Sequence, residues 1–340
     1  MAGSRGYRNY RGRTPKWKTA LAAVLVLVIL AAAGFIVLQE HLVYDEAGIP
    51  HLRLPKSPEA ETPPEEGEDV ELTIQPPEGP AAVLVRDLGE TPLTQAGLAA
   101  ALAAGEADDA WAVTLKDGDG GVYFDSSAAV SGSASVAEDT AAALKTLNGG
   151  EGRYTVARIG CFHDPRAANS DVEAMGLQNT GGFIFYDGSN SQWLDPAKPA
   201  ARAYLRELVR EAAELGFDEI LLTGVSYPTE GKLDKIAYGE GDRFAHLTAF
   251  LKEVRETLEP YGAALSIELP EAVVSSGSDE AAGLSLAEIA PLVDRVYVPA
   301  EPAGLEALAD RITAAGGADF VPELTAEAGD WTGSRLLLAA

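Results

Sequence analysis

Between Pro199 and Pro228 the chain spells out one complete unit of a particular architecture. Tyr204, Leu205, Leu208, Val209, Ala212 and Leu215 recur at helical spacing, and the run then breaks at Gly216. Residues 219–223, Glu-Ile-Leu-Leu-Thr, are short and apolar, and a polar turn with Gly224 and Pro228 follows. A helix that feeds a short apolar strand is a crossover, and crossovers of this length join parallel strands. Strands covered on both faces are apolar throughout rather than alternating.

The same pattern recurs along the chain. Candidate strands fall at 81–86, 110–115, 155–161, 219–223, 264–269, 295–299, 320–324 and 335–338, with helical patterns between them. Phe244, Leu247, Leu251, Val254 and Leu258 make a second clear helical stripe, whereas residues 93–104 are helical by alanine content and weakly specified by packing. Eight strands with helical crossovers predict a (β/α)8 barrel over residues 81–340, with no outer helix after the eighth strand. Residues 126–135 and 165–191 are long connections leaving from the strand ends where such barrels carry their sites.

Upstream the composition changes twice. Residues 1–18 hold six basic residues and no acid, and residues 19–38 carry no charge over 20 positions, enough for a helix to cross a bilayer. Basic residues ahead of the span predict a cytoplasmic N-terminus and an extracytoplasmic barrel on a single-pass membrane protein. A cleaved signal ending near Ala31-Ala32-Ala33 is the alternative. The apolar run continues from Gly34 to Leu38, which a cleaved signal does not need. Residues 39–80 alternate proline with glutamate, a semi-rigid linker that reaches on the order of 100 Å.

The net charge is −26, and the +6 tail leaves −32 on everything after it. Such a surface repels phosphate backbones, which argues against nucleic acid as a partner. Cys161 is the one cysteine, so no intramolecular disulfide forms, and its apolar neighbours predict a buried thiol. His41, His51, His163 and His246 are scattered, without His-Glu-x-x-His spacing or a cysteine pair, so the sequence calls for no metal and no cofactor. Asp117-Gly118-Asp119-Gly120 lacks the later ligands of a calcium loop and predicts a plain turn.

Several segments resemble the glycoside hydrolase barrel family formerly classed as a domain of unknown function. They are Val113 to Ser126 with its Lys116-Asp117 turn, Ala157 to Pro165, Trp193-Leu194-Asp195-Pro196, and Gly216 to Ile220. The resemblance covers residues 80–340 and implies a sugar-acting barrel whose partner is a polysaccharide. The expected substrate-binding set is Lys116, Asp117, Arg158, Trp193, Asp195, Thr223 and Tyr227. The fourth strand departs from the family pattern: Thr223 stands where the family carries Asp, and Ser226 where it carries Arg.

Glycoside hydrolysis needs two carboxylates at a defined spacing. The acids at strand ends are Asp87, Asp117, Glu268 and Glu323. Acids make up 52 of 340 residues, so four is what composition alone supplies, and only their position can identify a pair. Glu268 and Glu323 are the expected catalytic candidates. Aromatic faces stack on sugar rings, which points to Trp193, Tyr227, Tyr186 and Phe185 as binding surface. With Thr223 in place of a carboxylate, the expectation is a barrel that binds or acts on cell-wall or extracellular polysaccharide with weak or no catalysis. A non-catalytic envelope scaffold is the alternative.

Overall fold

The computed structural model describes residues 42–44, 50–52, 84–105, 110–150, 152–326 and 329–339. The basic tail and the apolar span expected over 1–38 lie outside the described residues. So does most of the 39–80 linker, where a short antiparallel pair joins Leu42–Tyr44 to Pro50–Leu52. Among the described residues no helix is long and apolar enough to cross a membrane.

Eight parallel strands close into a barrel in sequential order. They are β1 (Leu84–Asp87), β2 (Ala110–Lys116), β3 (Thr155–Gly160), β4 (Glu219–Thr223), β5 (Ala264–Glu268), β6 (Arg295–Pro299), β7 (Asp319–Leu324) and β8 (Arg335–Leu337). The first strand is described from Leu84 and extends one residue past the expected end, to Asp87. The third stops at Gly160 and leaves Cys161 in the loop, buried, with its thiol pushed up to about 12 by loss of solvent. Val85, Ala110, Ala112, Val156, Leu221, Tyr297, Val321 and Leu336 fill the inside of the ring.

The outer layer comprises α1 (Gln95–Ala104), α2 (Thr140–Asn148), the short α3 (Pro165–Ser170), α4 (Pro199–Glu214), α5 (Arg243–Leu258), α6 (Glu271–Ser276), α7 (Leu286–Ile289) and α8 (Leu305–Gly316). Their starts follow from local chemistry. Thr94 and Asp242 accept backbone N–H groups at the heads of α1 and α5, and Pro199 opens α4 where no amide is needed. Alanine-rich α1 buries only Leu98, while α5 buries Leu247, Phe250, Leu251, Val254 and Leu258. Phe250 packs edge-on against Phe162 at 5.0 Å, and burying a ring of that size contributes about 2–3 kcal/mol. Between β7 and β8 no helix stands among the described residues; Trp331 packs edge-on against Phe320 there.

Candidate functional site

Alternation along the strands turns Arg158 of β3 into the barrel mouth. Its guanidinium meets three carboxylates from three other strands: Asp87 of β1 at 3.5 Å, Glu268 of β5 at 3.1 Å and Glu323 of β7 at 3.5 Å. The side chains are mostly withdrawn from solvent, from 27% exposed for Glu268 to 2% for Glu323. Glu268 Oε2 and Glu323 Oε1 both face the same nitrogen, Arg158 Nη2. They are therefore no more than roughly 7 Å apart, the range over which paired glycosidase carboxylates operate.

One positive charge cannot balance three negative ones. Burial, then the charge of Glu268, push the Glu323 carboxyl up to about 8; Asp87 adds to this and Arg158 opposes it. Glu323 thus holds its proton at neutral pH. Its Oε1 has no hydrogen-bond partner among the described residues, the Arg158 contact at 3.5 Å not counting as one.

Thr223 ends β4 in this same layer. It stands opposite Gly160 of β3, and Leu222 opposite Ile267 sets it beside Glu268. Its hydroxyl makes no hydrogen bond among the described residues. Tyr297 lies opposite Glu268, and Pro299 opposite Glu323, on the far side of the mouth.

The rest of the expected binding set is placed differently. In β2, Thr114 pairs with Arg158 but Lys116 pairs with Ile159, so Leu115 is an extra residue and the strand bulges. The bulge turns Lys116 to the outer face. There it is fully buried, paired with Asp164 at 2.9 Å and donating to the Gly160 carbonyl at 2.8 Å. Lys116 is therefore structural rather than exposed to a ligand. Asp117 caps its own turn, accepting from Asp119 and Gly121 and from the Tyr123 hydroxyl, which it pushes up to about 12.

Trp193, Asp195 and Tyr227 belong to a packed loop layer above the mouth. The β3–α4 and β4–α5 connections are tied together by Thr180 N–H to the Lys235 carbonyl at 2.8 Å and Ala237 N–H to the Gln178 carbonyl at 2.8 Å. Leu177, Phe185, Tyr227 and Ile236 form the small core between them, so Tyr227 and Phe185 are buried and offer no stacking face. Asp195 is buried as well; loss of solvent raises its carboxyl, and it accepts from Ala197 N–H at 2.9 Å. Trp193 is half-buried, edge-on to His163 at 4.9 Å and donating to Asp187 at 2.8 Å. Burial works against ionisation of Asp187, but bonds from Trp193, Ser191 and Ser189 outweigh it and hold the carboxyl low. The exposed aromatics of this layer are Phe183, which the sequence did not single out, and Tyr186.

Among the described residues the cavities at the barrel ends include a small one of about 480 Å³ lined by Asp87, Thr91 and Thr325, and two larger ones. One of about 1080 Å³ opens at the N-terminal ends of the strands, between Tyr154, Asp218, Asp294 and Arg295. Several of its polar groups are already engaged: Asp218 accepts from Thr155, Asp294 from Leu265 and Arg255, and Arg295 pairs with Glu219. The other, of about 820 Å³, runs out from Thr114 on the inner face of β2, between the β1–α1 and β2–α2 loops. Among the described residues no group of His, Cys, Asp or Glu is arranged to hold a metal ion, and Arg158 supplies the cation of the mouth.

The family model described as Putative glycosyl hydrolase domain matches residues 98–303. No curated protein matches the chain. Similar solved structures include a hypothetical protein from Ruminiclostridium thermocellum, at 26% identity and TM-score 0.45, covering 55% of this chain and 96% of that one. The PgaB (BpsB) glycoside hydrolase domain from Bordetella bronchiseptica is similar at 18% identity and TM-score 0.49, with 72% and 84% covered. A beta-N-acetylhexosaminidase from Bacteroides fragilis follows at 11% identity and TM-score 0.47, with 72% and 50% covered. The family match, rather than these likenesses, carries the assignment.

Proposed function

We propose, from the premise that this chain belongs to that glycosyl hydrolase domain family, that the barrel mouth binds a glycan chain and hydrolyses it weakly or not at all. The observation that carries this reading is Arg158, which occupies the space between Glu268 and Glu323. A carboxylate that attacks an anomeric carbon, or a carboxyl that protonates a glycosidic oxygen, needs that space for the sugar. Glu323, at 2% side-chain exposure, also lies too deep to reach a leaving oxygen without rearrangement. The Thr223 hydroxyl, although beside Glu268, makes no hydrogen bond to a base among the described residues and so is not an activated nucleophile.

The polysaccharide is one of the cell wall or the extracellular matrix. Residues 19–38 anchor the chain in the cytoplasmic membrane, and residues 39–80 hold the barrel outside it. Protease added to intact cells should remove the barrel while the tail stays protected; a soluble product beginning near residue 34 would reverse this topology. For the mouth, the test is release of reducing ends from a glycan panel by the purified barrel and by Glu268→Gln. Equal, near-background rates are expected, together with measurable binding.

A second reading has its own support. Glu323 is protonated at neutral pH, as a general acid must be, and Glu268 lies within the distance a retaining or short-spaced inverting pair requires. Robust turnover that is lost in Glu268→Gln, with an alkaline limb near pH 8 that is lost in Glu323→Gln, would establish this second reading in place of the first.

A further inference from the structure

The cleft of about 820 Å³ beside the mouth has no role in the chemistry above, and its lining is specific. Its inner end is Thr114, the register partner of Arg158, so it lies beside the carboxylate cluster without being lined by it. It then passes between Gly89–Thr94 of the first loop and Asp117, Tyr123 and Ser135–Ala137 of the second. Its volume lies in the range that encloses a small organic ligand, about 300–1,000 Å³. The walls carry hydroxyls from Thr91, Thr94, Thr114, Tyr123, Ser135 and Thr140, and carboxylates from Glu90 and Asp117. No Lys, Arg or His lines it.

Much of this polar lining is rigid. Thr94 accepts from Gly97 N–H at 3.0 Å at the head of α1, Thr140 accepts from Ala137 N–H at 3.1 Å, and Tyr123 donates to Asp117. Thr114 is different: its hydroxyl makes no hydrogen bond among the described residues, and it sits where the cleft meets the mouth. A half-buried hydroxyl without a protein partner is free to bond a ligand hydroxyl. Tyr123 and Val136 supply apolar surface, Val136 standing 39% exposed.

We infer that this cleft is the main glycan subsite, and that it takes uncharged sugar units. The inference rests on the glycan reading above and deepens it. An anionic unit such as a uronate would enter past Glu90 and Asp117 with no cation to meet it, inside a body whose net charge is already strongly negative. A neutral hexose or N-acetylated hexose incurs no such penalty and finds donors and acceptors on both walls. The chain would run from the mouth outwards between the first two loops, away from the Trp193–Tyr227 layer.

The test uses the full chain, purified in detergent and titrated by calorimetry with a neutral hexose oligomer, an N-acetylhexosamine oligomer and a uronate oligomer of equal length. A neutral oligomer is expected to bind at least tenfold more tightly than the uronate. Ala137→Trp places an indole in the cleft from an exposed position, so folding is preserved, and it should abolish binding. Glu90→Lys should narrow the discrimination against the uronate by about tenfold, the effect of about 1.4 kcal/mol. Tyr186→Ala, in the loop layer, should leave affinity unchanged. If Ala137→Trp binds normally while Tyr186→Ala does not, glycan binding stands but the cleft is the wrong site and the inference is overturned. If the uronate binds as tightly as the neutral oligomers, the charge argument is overturned. If no oligomer binds to any form, the glycan reading itself fails and the inference falls with it.

Discussion

The two ends of the barrel treat a buried arginine in opposite ways. At the N-terminal end Arg295 meets one carboxylate, Glu219, and both oxygens of that carboxylate are hydrogen-bonded. Glu219 Oε1 accepts from Ser266 at 2.5 Å, and Oε2 accepts from Tyr154 at 2.8 Å and from Arg295 itself. At the C-terminal end Arg158 meets three carboxylates, and one Glu323 oxygen is left without a hydrogen bond. Charges matched one to one with saturated hydrogen bonding hold a fold together. A surplus of carboxylates around one guanidinium is unfavourable for the fold and persists where a site needs it. The contrast marks the lower end as structural and singles out the upper one as the candidate site, without reference to any relative.

The largest effect that could break this contrast is loss of either arginine. Arg295→Met leaves Glu219 charged and buried, and should lower stability in urea at neutral pH by about 3–5 kcal/mol. Arg158→Met removes a cation from groups that are partly solvated, apart from Glu323, which already carries its proton. Its cost should be clearly smaller, with glycan binding altered. Equal destabilisation by the two substitutions would show that the mouth cluster is as structural as the lower one.

A smaller, pH-dependent effect belongs to Glu323. Its folded carboxyl titrates near 8, against 4.5 for the free group, so between those values the native state holds a proton that the unfolded state has lost. Stability therefore falls as pH rises through this window, by on the order of a few kcal/mol in all. Glu323→Gln cannot ionise. It should match the parent near pH 4.5, gain stability over it progressively towards pH 8, and show a flatter profile. Urea midpoints across that range measure it, and parallel profiles for the two proteins would refute the buried proton.

How much of this was open to reading in the sequence depends on what fixes each position. The eight strands were legible because parallel strands covered on both faces are written as apolar runs, and Glu268 and Glu323 were legible as acids at strand ends. The convergence of Glu268, Glu323 and Asp87 on Arg158 was not, because it depends on register across four strands. Lys116 shows the sharper failure. A period of two continues Ala112 and Thr114 to Lys116 on the inner face, but one bulged residue reverses the side, and the only trace is the pairing of Thr114 and Lys116 with consecutive partners. The burial of Tyr227 was hidden for another reason: an aromatic residue on a long loop can stack on a ligand or pack the loop, and here its ring packs between two loops that fold on each other.

The smallest prediction tests whether lying at the mouth end is enough to give a residue a part in binding. Tyr227 stands in the upper loop layer, but its hydroxyl bonds to His246 Nδ1 at 2.8 Å. The other ring nitrogen, Nε2, bonds to the Glu240 carbonyl at 2.8 Å. A carbonyl can only accept, so Nε2 carries a proton, and in the neutral imidazole Nδ1 is then the acceptor and Tyr227 the donor. This is a matched pair, like those at the lower end. Tyr227→Phe keeps the ring in its small core with Leu177, Phe185 and Ile236, and removes one hydrogen bond. The cost should be about 1 kcal/mol of stability, since His246 is only half-buried and water can serve Nδ1 instead. Glycan affinity, measured by the same titration, should not change. A drop in affinity with stability intact would make the Tyr227 hydroxyl a ligand group, and would mean that saturated hydrogen bonding does not separate the structural parts of this barrel from its binding surface.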